Sequence, residues 1–126
     1  MTPKRIQMTR QRPWRADNPD AVIVDRRTKW GNPYRVVPRH YLHLGRHAIG
    51  WYVLDREQMI RVTASTKPEA VAEAVRLFRE HYTDEETGAP WAAREELRGR
   101  DLACWCKPGD PCHADVLLEI ANGDVS

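Results

Sequence analysis

The sequence predicts an α/β or α+β fold, a single domain of residues 1–126 in which helices cover a small sheet. Three observations carry this expectation. Short β-branched runs separated by turn residues occupy the first half. One long amphipathic helical pattern follows, and a strand, a loop and a helix close the chain. A chain of 126 residues suits one domain with one core. Its 41% hydrophobic and 30% charged residues are ordinary for a globular protein.

Taken in order, residues 1–20 contain Pro3, Pro13 and Pro19 and no clean periodicity. They are expected as an extended or looping basic arm, with a short strand near 5–8. Residues 21–25 form a β-branched run that predicts a buried strand. Trp30-Gly31-Asn32-Pro33 is a turn, because Gly tolerates φ > 0 and Pro keeps its predecessor extended. Residues 34–37 make a further strand candidate. Runs 51–54 and 60–64 predict a hairpin with a longer loop, after a loop over 38–50.

A helix is expected from Thr66 to about Tyr82. Thr66 and Glu69 are spaced as a capping box, with Pro68 in the first turn. Val71, Ala74, Val75, Phe78 and Tyr82 recur at helical spacing and predict its buried stripe. A short helix should cover 91–98 and stop at Gly99. Residues 102–106 predict a strand. Asp110 is the expected N-cap of the last helix, with Pro111 at its first position and Gly123 after its end.

The net charge of +2 hides an asymmetry. Residues 1–40 carry about +7 and the remainder about −5, which favours an anionic partner for the first part or internal pairing of the two. No apolar run approaches the ~20 residues of a membrane span, and no apolar leader opens the chain, so no membrane partner and a cytoplasmic location are expected. The motifs Gly-x-Gly-x-x-Gly, Gly-x-Ser-x-Gly and His-Glu-x-x-His are absent, as is a phosphate-binding Lys loop.

The densest chemistry lies in Cys104-Trp105-Cys106 and Cys112-His113. Three cysteines between positions 104 and 112 suit free or metal-bound thiols in a reducing compartment, not a disulfide framework. On a strand, Cys104 and Cys106 would share one face and Trp105 the other. Cys112 and His113 would follow at a helix start, where free N–H groups and the dipole favour a thiolate or an anion. Three readings stay open. Cys104, Cys106, Cys112 and His113 are a zinc ligand set, although C-x-C-x5-C-H is unusual spacing; an iron–sulfur cluster is the lesser metal alternative. Cys112, His113 and Asp115 are candidate catalytic groups, as thiolate, proton carrier and support. Finally, His113 shares its face with Val116, Leu117 and Ile120, which fits a buried, hydrogen-bonded histidine.

Other residues suit ligand binding. Arg5, Gln7, Arg10, Arg12, Trp14 and Arg15 interleave bases with an amide and an aromatic, as phosphate and base contacts require, or as a solvated arm would. Lys29 adds a further phosphate candidate. Trp30 and Asn32 could stack on and hydrogen-bond a base, or simply build a tight corner. His40, His43 and His47 are helically spaced, but Pro38, Gly45 and Gly50 favour exposed loop histidines over a second metal site.

Residues 26–34 (RRTKWGNPY) and 102–117 (LACWCKPGDPCHADVL) resemble a family of small domains of unknown function found in bacteria, notably actinobacteria, and their phages. The matching positions are Arg5, Gln7, Arg10, Trp14, Arg15, Lys29 to Pro33, Cys104, Cys106, Cys112, His113 and Asp115. The resemblance implies a fold and a shared site but no reaction, and it makes 38–64 a loop-and-hairpin insertion. It would make the location a host's cytoplasm for a phage-encoded member. A weaker resemblance to a group carrying Cys-His-Arg fails at Ala114. Three functions remain: an enzyme on a nucleotide or nucleic acid, a zinc-stabilised nucleic-acid-binding module, and an accessory protein-binding domain. The oligomeric state is open.

Overall fold

A computed structural model describes residues 2–11, 13–41 and 50–123. Arg12, His43 and His47 lie outside the described residues, and His40 is exposed. In chain order the elements begin with β1 (Arg5–Gln7), a one-turn α1 (Trp14–Asp17), β2 (Val22–Ile23) and β3 (Arg35–Pro38). The hairpin β4 (Trp51–Leu54) and β5 (Ile60–Ala64) and the helices α2 (Lys67–Thr83) and α3 (Ala89–Leu97) follow. β6 (Leu102–Cys104) and α4 (His113–Asn122) close the fold.

The expected α/β domain is present, but its strands divide into two small sheets. β6 lies between β1 and β2 in a parallel sheet, with Arg5 beside Leu102, Gln7 beside Cys104 and Ile23 beside Ala103. β3, β4 and β5 form an antiparallel meander, with Val53 beside Val62 and a register shift at Leu54. The division follows connection length. Short loops permit antiparallel neighbours, whereas parallel pairing of β1 and β2 with β6 needs long crossovers.

Helix α2 joins the two sheets. One side packs on the meander through Ala70, Ala74 and Leu77 against Val53 and Ala64. The other sends Phe78 and Tyr82 into the main core with Trp30, Leu102, Val116 and Leu117. The predicted stripe is therefore rotated. Ala70 and Leu77 are buried, while Val71 and Val75 are half-buried, because a helix between two partners buries more than one stripe. Its cap also differs in one half. Thr66 accepts from the Glu69 amide at 3.3 Å, but the Glu69 carboxylate accepts from Ser65 instead of Thr66.

Three local expectations are corrected. Pro13 immediately precedes α1, where its missing N–H costs nothing, so the arm holds one helical turn. β6 ends at Cys104, and Trp105 and Cys106 lie in a bend beyond it. α4 starts at His113 with extended Cys112 as its N-cap, leaving Asp110 and Pro111 in the preceding loop. In that loop Arg5 donates to the carbonyls of Lys107 and Asp110 at 3.0 Å each.

The Trp-Gly-Asn-Pro corner is built by close approach. A Cβ on Gly31 would lie 2.5 Å from the Asp25 carbonyl oxygen, so the position excludes any side chain without needing a positive φ. Arg26 closes the corner by donating to the carbonyls of Asn32 (2.7 Å) and Tyr34 (3.2 Å).

Candidate functional site

Parallel pairing brings the carboxyl ends of β1, β2 and β6 to one edge of their sheet, the edge at which α/β folds place ligands. β2 leads there into Asp25, Arg26 and Arg27, and β6 leads into Trp105 and Cys106. α4 returns to the same edge with Cys112 and His113 at its start. Together with Val36 of β3 and Val71 and Val75 of α2, these groups enclose a cleft of about 430 Å³.

The three cysteines meet on the wall of this cleft. Their sulfurs all lie within 4.8 Å of one another, with Cys104 Sγ and Cys112 Sγ 3.2 Å apart. Cys104 and Cys112 are buried, and Cys106 is half-buried. The group is thus able to hold a metal ion, and no disulfide joins its members. Trp105 does not point away from them as strand alternation predicts. Because β6 ends before it, Trp105 lines the same cleft.

The charges within the cluster are unequal. Hydrogen bonds from Cys104 and Cys106 hold the Cys112 thiol far below the usual range. His113 and the Ala114 amide at the helix start act in the same direction, against burial. Cys104 is pushed up by its hydrogen bonds to Cys106 and Cys112 and by burial. For Cys106, the hydrogen bond with Cys104 works downward, but the one with Cys112 and burial raise the thiol to about 11. Hydrogen bonding among the three sulfurs thus favours the charged form at Cys112 over Cys104 and Cys106.

His113 is buried, and its Nε2 lies 2.5 Å from the Val24 carbonyl oxygen. A carbonyl only accepts, so Nε2 bears the proton and donates. Nδ1 faces Cys112 Sγ at 3.8 Å, within reach of a hydrogen bond with that sulfur. This is the arrangement of a metal-ligating or proton-accepting histidine, whose second nitrogen is fixed by a backbone carbonyl. The group of atoms lying mutually within 4.8 Å contains only the three sulfurs, so His113 Nδ1 stands at its margin.

Arg5 and Asp115 support the cluster from behind. Besides its two loop carbonyls, Arg5 pairs with Asp115 at 3.1 Å. Burial opposes the Arg5 charge, but Asp115, Cys112 and Cys104 hold its pKa above the ordinary guanidinium value. Burial raises Asp115, with Arg5 pulling the other way.

The remaining predicted ligand groups are distributed unevenly. Asn32 lines the cleft, but its side chain donates to Ala74 O at 3.2 Å and accepts from the Tyr34 amide at 2.9 Å. Gln7 lies on β1 beside Cys104. Arg10 stands over the Trp105 ring, 6.0 Å from its centroid. Arg15 donates to Ala21 O at 2.9 Å and covers Trp14. Lys29 pairs with Glu96 at 2.7 Å, and Trp30 is buried in the main core.

Sequence reasoning missed Asp25, Arg27 and the cleft role of Trp105. Asp25 is buried and accepts from Arg27 Nε (2.8 Å) and Trp105 Nε1 (3.1 Å). The available signal was position: these residues directly follow strands whose carboxyl ends share one edge.

A family model described as "Domain of unknown function (DUF4326)" matches residues 6–123. The chain belongs to this family. The match includes both segments that carry the family resemblance, 26–34 and 102–117, and therefore every wall of the cleft. No curated protein and no solved structure matches this DUF4326 chain. No helix among the described residues is long and apolar enough to cross a membrane.

Proposed function

We propose that this domain holds one zinc ion on Cys104, Cys106 and Cys112 and binds a small anionic ligand, of the nucleotide class, in the adjoining cleft. The observation that carries this reading is the convergence of three sulfurs within 4.8 Å on the wall of a 430 Å³ cleft. The donor set fits zinc, which takes thiolates in tetrahedral geometry. A Zn–S bond of about 2.3 Å sets ligand sulfurs about 3.8 Å apart, so the 3.2 Å pair needs only a small opening. When bound, zinc would supply Lewis acidity at the cleft wall.

Three ligands from the chain leave one tetrahedral position, the pattern of sites that act on a ligand. His113 Nδ1, 3.8 Å from Cys112 Sγ, is the imidazole nitrogen beside that position, for binding there or for accepting a proton. Arg5 and Asp115 hold the loop that carries Cys106 and Cys112. An enzyme acting on a nucleotide fits this arrangement better than a nucleic-acid-binding arm. Arg5, Arg15 and Lys29 each have partners within the fold, and a cleft adjoins the cysteine cluster.

The test is metal content per chain in reduced, untagged protein purified without chelator. About one zinc is expected, lost in Cys104→Ser and retained at reduced affinity in His113→Ala. Folded protein without metal, which also takes up none from added zinc, would overturn the reading.

A further inference from the structure

We propose that Trp105 is the stacking platform of the cleft, receiving the planar ring of a nucleoside monophosphate whose phosphate lies towards Arg10 and Arg27. This rests on the reading of the cleft as a ligand site and deepens it. Among the large hydrophobic side chains, Trp105 is 46% exposed, and it is the one of the exposed group that lines the cleft. Trp30, the aromatic expected to stack, is buried at 6% exposure and cannot present a face.

The indole is held in place. Its Nε1 donates to the buried Asp25 carboxylate at 3.1 Å, and Asp25 is itself held by the side chain and amide of Arg27. A fixed ring loses little freedom on binding, and donation to a carboxylate enriches its π face. Both strengthen stacking on an electron-poor heteroaromatic ring. Val36, Val71 and Val75 line the same cleft and offer a flat ring an apolar surface. This also accounts for the two valines of α2 that the core leaves half-buried.

The mouth is cationic. Arg10 stands over Trp105, and Arg26 and Arg27 line the cleft, against the single carboxylate of Asp25. Arg26 is occupied by the Asn32 and Tyr34 carbonyls, and the largely exposed Arg27 gives Nε and Nη2 to Asp25 but keeps Nη1, so Arg10 and Arg27 Nη1 are the donors offered to a phosphate. A planar ring joined to an anion matches these surfaces. A free phosphate would leave the valines uncovered, and a purely apolar ligand would leave the arginines unused.

Equilibrium dialysis of the zinc-loaded protein against AMP, GMP, CMP and UMP, with adenosine and ribose 5-phosphate as partial probes, tests this. At least one nucleotide should bind. Trp105→Ala should weaken it by about 5- to 100-fold, the range of one base stacked on an aromatic ring, and Trp105→Phe should restore most of the loss. Arg10→Ala should weaken the nucleotide while leaving its nucleoside unchanged. Zinc per chain should stay the same in all three variants, which separates failure here from failure of the metal reading. No nucleotide binding by the zinc-loaded protein, or equal binding by Trp105→Ala, would overturn the proposal.

Discussion

Asp25 shows how much one side chain carries at this site. It is 7% exposed, yet it fixes the Trp105 indole and pairs with Arg27 at 2.7 Å. Burial works to raise its pKa. The hydrogen bonds from the Arg27 side chain and amide and from Trp105 outweigh that and hold it below the usual carboxylate range. An unfolded Asp titrates near 3.9, so the folded protein binds fewer protons at Asp25 than the unfolded chain does. The stabilisation is complete above about pH 4 and disappears as pH falls through the lower folded value. Urea unfolding of wild type and Asp25→Asn should differ by a constant amount from pH 5 to 8, and the difference should shrink in more acidic buffer. A difference that grows on acidification would contradict this assignment. The same residue illustrates what a sequence conceals. Asp25 closes a β-branched run expected as a buried strand, but its partners Arg27 and Trp105 follow from the parallel pairing of β2 with β6, which the sequence does not show.

At the scale of elements, the loop between β6 and α4 depends on β1. Arg5 donates to two carbonyls of that loop and to Asp115, and its side chain is only 12% accessible. Arg5→Ala should lower stability by about 2 kcal/mol, the loss of charged hydrogen bonds that are partly screened. It should also speed zinc transfer to a competing chelator, because Cys106 and Cys112 lose their frame. Unchanged transfer kinetics would remove Arg5 from this supporting role. The hairpin β4–β5 and the start of α2 were legible to the residue, since alternation, a Thr cap and an early Pro act locally. The start of α4 was not. Asp110-Pro111 has good cap chemistry, but the loop there is tied to Arg5, more than 100 positions away, and the helix starts at His113. Trp105 was misplaced for a related reason: alternation holds only while the strand lasts, and β6 stops at Cys104.

Across the whole molecule, the proposed site lies where the parallel sheet ends and α4 begins. The three cysteines and His113 could be singled out from residue type and proximity in the chain, because metal and thiol chemistry restrict the side chains that serve. Their partners could not, since Val36, Val71, Val75 and Asp25 come from three other segments joined only by the topology. The division into two sheets was equally hidden, as strand runs carry no record of which strand they pair with. The corner residues Trp30 and Asn32 were visible as a unit, and they serve the junction between the core and α2. The central claim, a three-sulfur zinc centre opening on a ligand cleft, is tested most directly by X-ray absorption at the zinc edge of the metal-loaded protein. The account predicts three sulfur neighbours at about 2.3 Å and one lighter donor. A first shell of nitrogen and oxygen alone, or a folded protein that binds no zinc, would contradict it.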